Sequence, residues 1–202
     1  FCCFFFAGSS RQVAAGDPQF LDVTQRTGID FIHSCGSREK AGIYEVNGSG
    51  VALFDCDQDG DLDIYFVNAS GGKEAVPRAV NALYRNNGDW SFSNITARSG
   101  TGDPGWGSGA AVADIDNDGL LDLYVTNRGP NVLYRNTGGG RFKRVEQSGT
   151  EVPAWSTSAS FADFDSDGLV DLYVANYLRI DDSALGRNCE YKGLSIFCGP
   201  GG

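Results

Sequence analysis

The chain has 202 residues, 41% of them apolar and 12% aromatic, enough for one globular domain and too apolar for a disordered segment. Acidic residues outnumber basic ones 26 to 16, and the formal charge of −10 with a pI near 4.4 argues against nucleic acid or anionic lipid as partners. Of the 20 aspartates, 13 fall in three short segments, a pattern of cation sites rather than of a solvating surface.

The first seven residues, Phe1 to Ala7, are apolar and lead into a small, polar stretch that contains Val13-Ala14-Ala15. Residues 1–15 read as the remnant of a signal peptide, with a frayed terminus as the alternative. The run falls well short of the roughly 20 apolar residues that span a bilayer, and no later segment qualifies, so no membrane span is expected in the mature chain. The chain starts at Phe and contains no Met, and it is read as a piece of a longer, exported protein: secreted, periplasmic or at the cell surface.

Residues 16–202 read as one repeat domain. Three segments within it align without gaps, Gly48 to Asn68, Gly107 to Asn127 and Ser156 to Asn176, and their first loop aspartates lie 59 and then 49 residues apart. Asn81-Ala-Leu-Tyr-Arg-Asn-Asn-Gly88 and Asn131-Val-Leu-Tyr-Arg-Asn-Thr-Gly138 follow the first two copies, and each ends in a hairpin signal. Periodicity predicts four strands per unit and no helix: an apolar run into the acidic segment, an alternating run out of it, the Leu-Tyr-Arg strand, and a strand from Phe92 or Phe142. The expected fold is all-β, a partial β-propeller of about three four-stranded antiparallel blades over 47–98, 106–147 and, incompletely, 156–202. A β-sandwich is the competing architecture, although sandwiches do not usually repeat their strands so faithfully. Phe20-Leu-Asp-Val-Thr-Gln-Arg-Thr-Gly28 matches Phe92 to Gly100, so 20–33 is predicted to be a leading outer strand of the kind that completes a last blade and hides its edge.

Each acidic segment reads Asp-x-Asp-x-Asp-Gly-x-x-Asp. The candidate ligands are Asp55, Asp57, Asp59 and Asp63, then Asp114, Asp116, Asp118 and Asp122, then Asp163, Asp165, Asp167 and Asp171. Residue 61, Leu120 and Leu169 would add a backbone carbonyl, and Asp61 brings an extra carboxylate that either tightens its loop or faces solvent. Alternate side chains converge as the backbone curls, and Gly at the sixth position makes the sharp turn at little steric cost. Two carboxylates about 4 Å apart repel by roughly 1 kcal/mol in water and roughly 4 kcal/mol at an effective dielectric of 20, so four in nine residues call for a cation. An all-oxygen set suits Ca2+ better than Zn2+ or Mg2+, and about three ions are expected, one per loop. An EF-hand shares the spacing but needs flanking helices and a Glu at the twelfth position, which here is Phe66, Val125 or Val174.

Cys189 and Cys198 bracket a short loop that suits a local disulfide in an oxidising compartment; zinc is the competing reading, with no CxxC and one His, His33, to serve it. Cys35 and Cys56 either pair or pack as small hydrophobes. His33, beside Phe31 and Ile32, is expected to be a packed strand histidine rather than a base. Tyr84, Arg85, Tyr134 and Arg135 recur with the units and read as packing and hydrogen-bonding staples. Three sequons begin at Asn47, Asn68 and Asn94, and two of them lie within repeat motifs, which favours a structural role over glycosylation.

Repeats of this form resemble the FG-GAP/VCBS repeats of integrin α-subunits and of many bacterial exported proteins. The Leu-Tyr-Arg-Asn-x-Gly strand, the leading Phe-x-Asp-Val-Thr and Glu45-Val-Asn-Gly-Ser-Gly50 are most similar to the cartilage acidic protein-like group, which often carries a C-terminal ASPIC/UnbV domain. Cys189 to Pro200 is similar to an insertion in its bacterial members. The resemblance covers about residues 20 to 202 and implies a secreted, calcium-binding propeller of seven blades. The expected function is interaction or adhesion, with protein or glycan ligands held by loops on a propeller face, of which Ala69 to Val80 and Tyr177 onward are the longest. The alternative is part of a carbohydrate-active enzyme built on such a propeller, although no G-x-S-x-G, HExxH or phosphate loop is visible.

Overall fold

The computed structural model describes residues 20–36, 43–46, 49–69, 79–179 and 188–197. Three hairpins of one design organise it. In the first, β1 (Val51–Phe54) enters the acidic loop and β2 (Asp63–Phe66) leaves it antiparallel, with Val51 opposite Phe66 and Phe54 opposite Asp63. The Leu-Tyr-Arg strand β3 (Ala82–Asn86) pairs with β2, and β4 (Phe92–Asn94) closes a sheet of order β1-β2-β3-β4. The second unit repeats this plan in β5 (Gly107–Ala113), β6 (Asp122–Gly129), β7 (Val132–Asn136) and β8 (Phe142–Arg144). The third contributes β9 (Ala154–Ala162) and β10 (Asp171–Arg179), again antiparallel around an acidic loop. A separate hairpin, β11 (Asn188–Tyr191) with β12 (Leu194–Phe197), turns at Lys192-Gly193, both at positive φ. The fold is therefore all-β and built of propeller-type blades.

The core lies between sheets. Alternate residues of the strands point into it, and Ala52, Phe54, Tyr65, Val67 and Leu83 of the first unit pack against Leu123, Val125, Val132, Tyr134 and Phe142 of the second. The Phe54 and Phe142 rings meet edge to face at 6.2 Å, and at different repeat positions Tyr124 and Phe161 meet edge to face between the second and third units. The hydroxyls of Tyr65 and Tyr124 donate to the carbonyls of Thr101 and Thr150, each 2.9 Å away, so these buried phenols keep a partner.

Two features depart from the expected independent four-stranded blades. The second and third units share one six-stranded sheet, because β6 runs on to Gly129 and pairs there with the start of β9, Arg128 opposite Trp155 and Gly129 opposite Ala154. A shorter seam joins the first two units through a bridge between Ala69 and Trp106. The predicted leading strand is also absent: 20–23 has no strand pairing, and α1 (Thr24–Thr27) is a single helical turn. Its match to the later unit nevertheless holds in detail, since α2 (Thr96–Ser99) is the same turn, and Gly28 and Gly100 close the two helices at φ 74° and 79°. What differs is the neighbour. Phe92–Asn94 pairs with β3, whereas no third strand lies beside Phe20 among the described residues, and an extended segment without a ladder partner is not a strand.

The Gly-Ser-Gly that opens the first two repeats has a steric cause that periodicity does not reveal. A methyl group on Gly50 would come within 2.7 Å of Gly109 Cα, and one on Gly109 within 2.9 Å of the Thr157 carbonyl oxygen. The innermost strands of neighbouring units therefore approach backbone to backbone, which only glycine permits. Gly109→Ala is expected to destabilise the chain by about 1–3 kcal/mol, the usual range for overpacking, whereas Ser108→Ala is expected to stay within about 0.5 kcal/mol. Urea denaturation of both variants checks this, and equal midpoints would refute the close approach.

Candidate metal centres

Each acidic loop is folded by its own first and third aspartates. Asp55 accepts from the amides of Gln58, Asp59 and Gly60 at 2.7, 3.2 and 2.9 Å. Asp114 accepts from Asp118 and Gly119 at 3.0 and 2.8 Å, and Asp163 from Asp167 and Gly168 at 3.1 and 3.0 Å. Asp59, Asp118 and Asp167 each accept from the amide two residues on, that of Asp61, Leu120 and Leu169. Two residues per loop are left-handed: the fourth, Gln58, Asn117 or Ser166 at φ 56–64°, and the glycine at φ 87–91°. Beyond the adjacent residues no atom lies within 4 Å of where a Cβ would stand on Gly60, Gly119 or Gly168, so backbone conformation alone selects glycine there.

The fourth aspartate ties the loop to its sheet. Asp63 is fully buried at the start of β2 and accepts from Cys56 N at 2.8 Å and, across the sheet, from Asn86 N at 2.8 Å. Asp122 repeats this with Ile115 N at 3.1 Å and Asn136 N at 2.7 Å, and Asp171 accepts from Phe164 N at 2.9 Å. Burial raises the Asp122 carboxyl above the usual range, partly offset by the amides it accepts from.

Carboxylate oxygens then converge. Asp55, Asp57 and Asp59 have oxygens within 4.8 Å of one another, as do Asp114, Asp116 and Asp122, and Asp163, Asp165 and Asp171. Asp57 and Asp63 form a second such group with the thiol of Cys56. Asp61, Asp118 and Asp167 fall outside these groups; Asp61 is half-buried, and Asp118 and Asp167 each spend one oxygen on a loop amide. Burial raises the Asp57 carboxyl, and the charges of Asp59 and Asp63 add to this against the opposing pull of Arg85. Asp57 Oδ1 is shielded from solvent and has no hydrogen-bond partner. A buried carboxylate oxygen that bonds nothing, on an aspartate clustered with other carboxylates, is what an oxygen-seeking cation requires, so the donor set fits calcium.

Other residues around these loops now have defined partners, and one of them departs from its expected role. Arg85 sits 3.7 Å from Asp57, and Arg135 pairs with Asp116 and lies 3.7 Å from Asp118, so the recurring arginines are counter-charges to the second loop aspartate. Asn86 and Asn136 reach the carbonyls of Leu62 and Leu121 at 3.3 and 3.1 Å, pinning the far side of each loop. The repeated Asn-x-Gly was the available signal for them. His33 is exposed and outside any strand, with Nδ1 3.1 Å from Ser49 Oγ, which corrects its expected packing in a sheet. Cys35 and Cys56 are not joined in a disulfide; Cys56 packs in the core, and burial with three nearby carboxylates pushes its thiol far up. Asn68 is buried and hydrogen-bonded to Ser34 N at 2.7 Å, as its structural reading required, while Asn94 is exposed. The side chain of Cys189, and Cys198, Asn47 and residues 1–15, lie outside the described residues.

Tandem antiparallel sheets that pack face to face, each opened by an aspartate-lined hairpin loop, define a propeller-type repeat protein. A model of the FG-GAP-like repeat matches residues 55–125 and 114–174, more than half of the chain, and the chain belongs to that family. It is similar to Cartilage acidic protein 1 of Xenopus tropicalis, 28% identical over 130 residues, 64% of this chain and 17% of that protein. Cartilage acidic protein 1 of Homo sapiens is 30% identical over 120 residues, 58% of this chain and 16% of that protein. The chain thus spans about a sixth of the length of these curated relatives.

Proposed function

We propose that this chain is a calcium-binding propeller module of an exported protein, serving to contact protein or glycan ligands through loops on one propeller face. The observation that carries calcium is the convergence of three carboxylates within 4.8 Å in each loop, together with the unpartnered buried oxygen of Asp57. Asp55, Asp57, Asp59 and Asp63 would hold one ion, Asp114, Asp116, Asp118 and Asp122 a second, and Asp163, Asp165, Asp167 and Asp171 a third, with the carbonyls of residues 61, 120 and 169. Bound calcium supplies positive charge that lets these hairpins fold without mutual repulsion, bringing a formal −10 to about −4. Similarity to proteins named for cartilage supports an extracellular setting. No helix among the described residues is long and apolar enough to cross a membrane. Much of the expected contact surface, residues 70–78 and 180–187, lies outside the described residues.

Isothermal calorimetry on the folded chain is expected to find about three calcium ions per molecule, as the three loops require; no uptake at millimolar calcium would overturn the assignment. Glycan arrays and immobilised matrix proteins, probed with and without chelator, test the interaction role, which requires calcium-dependent binding to one class. Turnover of a polysaccharide would instead favour an enzyme.

Acid is expected to act in opposite directions on the two forms. The raised carboxyls of Asp57 and Asp122 mean that the folded, metal-free chain holds protons more tightly than the unfolded one. Its penalty for burying these charges is full above the raised values and is relieved as pH falls toward the ordinary carboxylate range. Calcium must displace the same protons, so affinity is expected to fall as pH drops from neutral toward the ordinary carboxylate range, while the chelated chain gains stability from these two groups. Calcium titrations at a series of pH values between these limits check the first, and pH-dependent urea melts in chelator the second.

A further inference from the structure

Consecutive acidic loops are joined by side-chain amides. Gln58, fourth in the first loop, donates from Nε2 to the carbonyl of Gly119, the sixth residue of the second, at 2.8 Å. Asn117, fourth in the second loop, donates from Nδ2 to the carbonyl of Gly168, sixth in the third, at 3.1 Å. Both donors are left-handed, at φ 64° and 56°, and each stands between the second and third aspartates of its own loop. A further bond runs the other way, from Asn136 Nδ2 in β7 to the Cys56 carbonyl, between Asp55 and Asp57, at 3.0 Å.

We propose that cation uptake by the three loops is positively coupled through this ladder, so that filling one loop favours filling its neighbour. The coupling rests on the calcium-binding function proposed above. In a metal-free loop the carboxylates repel and strain the turn that aims the glycine carbonyl. Neutralising them holds that carbonyl where the neighbouring Gln58 or Asn117 can reach it. The amide in turn keeps its residue left-handed, which sets the aspartates on either side toward their own centre. Order gained in one loop is therefore order the next does not have to acquire on binding, which is the condition for positive cooperativity. An exposed amide-to-carbonyl bond of ordinary strength corresponds to roughly two- to tenfold in neighbouring affinity per link.

The ladder is tested by native mass spectrometry of the full chain titrated with calcium alone, counting molecules that hold zero, one, two or three ions. Coupling predicts fewer one- and two-ion species than independent loading allows. The Gln58→Ser, Asn117→Ser double variant removes both amides; Ser166 already occupies that position in the third loop at φ 63°, so the backbone accepts it. It is expected to take up the same number of ions with a distribution shifted toward the independent one, since the Asn136–Cys56 bond remains. A second measurement follows hydrogen exchange of the first loop after Asp116→Asn weakens the second. Exchange is expected to quicken in the wild-type background and to change less when Gln58 is already Ser. Independent loading of the wild type, or loading unaltered in the double variant, overturns the coupling and leaves calcium binding standing. Absence of any uptake overturns both.

Discussion

Removing calcium from the folded chain is expected to lower its thermal midpoint by about 15–30 °C. A site held at a hundredfold excess over its dissociation constant stabilises by about 2.7 kcal/mol, and three such loops together by roughly 8 kcal/mol. In a chain of this size each kcal/mol moves the midpoint by about 2–4 °C. The effect should be large because the loops are not appendages: Asp63 and Asp122 bond both the loop and the third strand of the same sheet, so a loosened loop loosens the unit. Differential scanning calorimetry in chelator and in millimolar calcium measures it. Superimposable transitions would mean that the carboxylate clusters do without a divalent partner.

Asp122→Ala is expected to cost about 2–6 kcal/mol even in chelator, where loss of a ligand cannot contribute. The side chain is buried, and its two oxygens satisfy the amides of Ile115 and Asn136; truncation leaves one part-buried and one buried donor unpaired, at about 1–3 kcal/mol each. Part of this is returned by ending the burial of a carboxyl whose ionised form is disfavoured there. Asp171 is the internal control. It holds the same place in the third loop but is exposed and accepts the amide of Phe164, so Asp171→Ala is expected to cost no more than about 1 kcal/mol in chelator. Equal losses for the two variants in urea melts would show that burial does not set the role of this aspartate.

Much of this molecule was legible in its residues because it repeats. Three copies of one nine-residue loop, each between an apolar run and an alternating run, imply hairpins wherever they sit, since local turn chemistry and strand period act over neighbouring residues. The loop glycines were legible for the same reason: a left-handed residue is a local demand. The leading segment shows the limit. Phe20 to Gly28 matches Phe92 to Gly100 and makes the same capped helical turn, yet only the later copy has a strand, because a ladder needs a partner that spacing along the chain cannot supply. The partners of Arg85 and Arg135 were hidden in a similar way, since Asp57 and Asp116, which make these staples counter-charges, lie 28 and 19 residues away along the chain.

By itself the sequence determined the all-β class, the blade unit, the three acidic loops and the oxygen chemistry of their candidate ligands. The hairpins and loops follow from interactions among residues within about a dozen positions of one another, and the blade unit from their repetition. Only the tertiary structure decided what distant segments do to each other: the seam of β6 with β9, the glycine contact of the innermost strands, the burial that separates Asp122 from Asp171, and the amides linking loop to loop. Those depend on which backbones meet across the interfaces between sheets, and a repeat pattern fixes the pieces well before it fixes their approach.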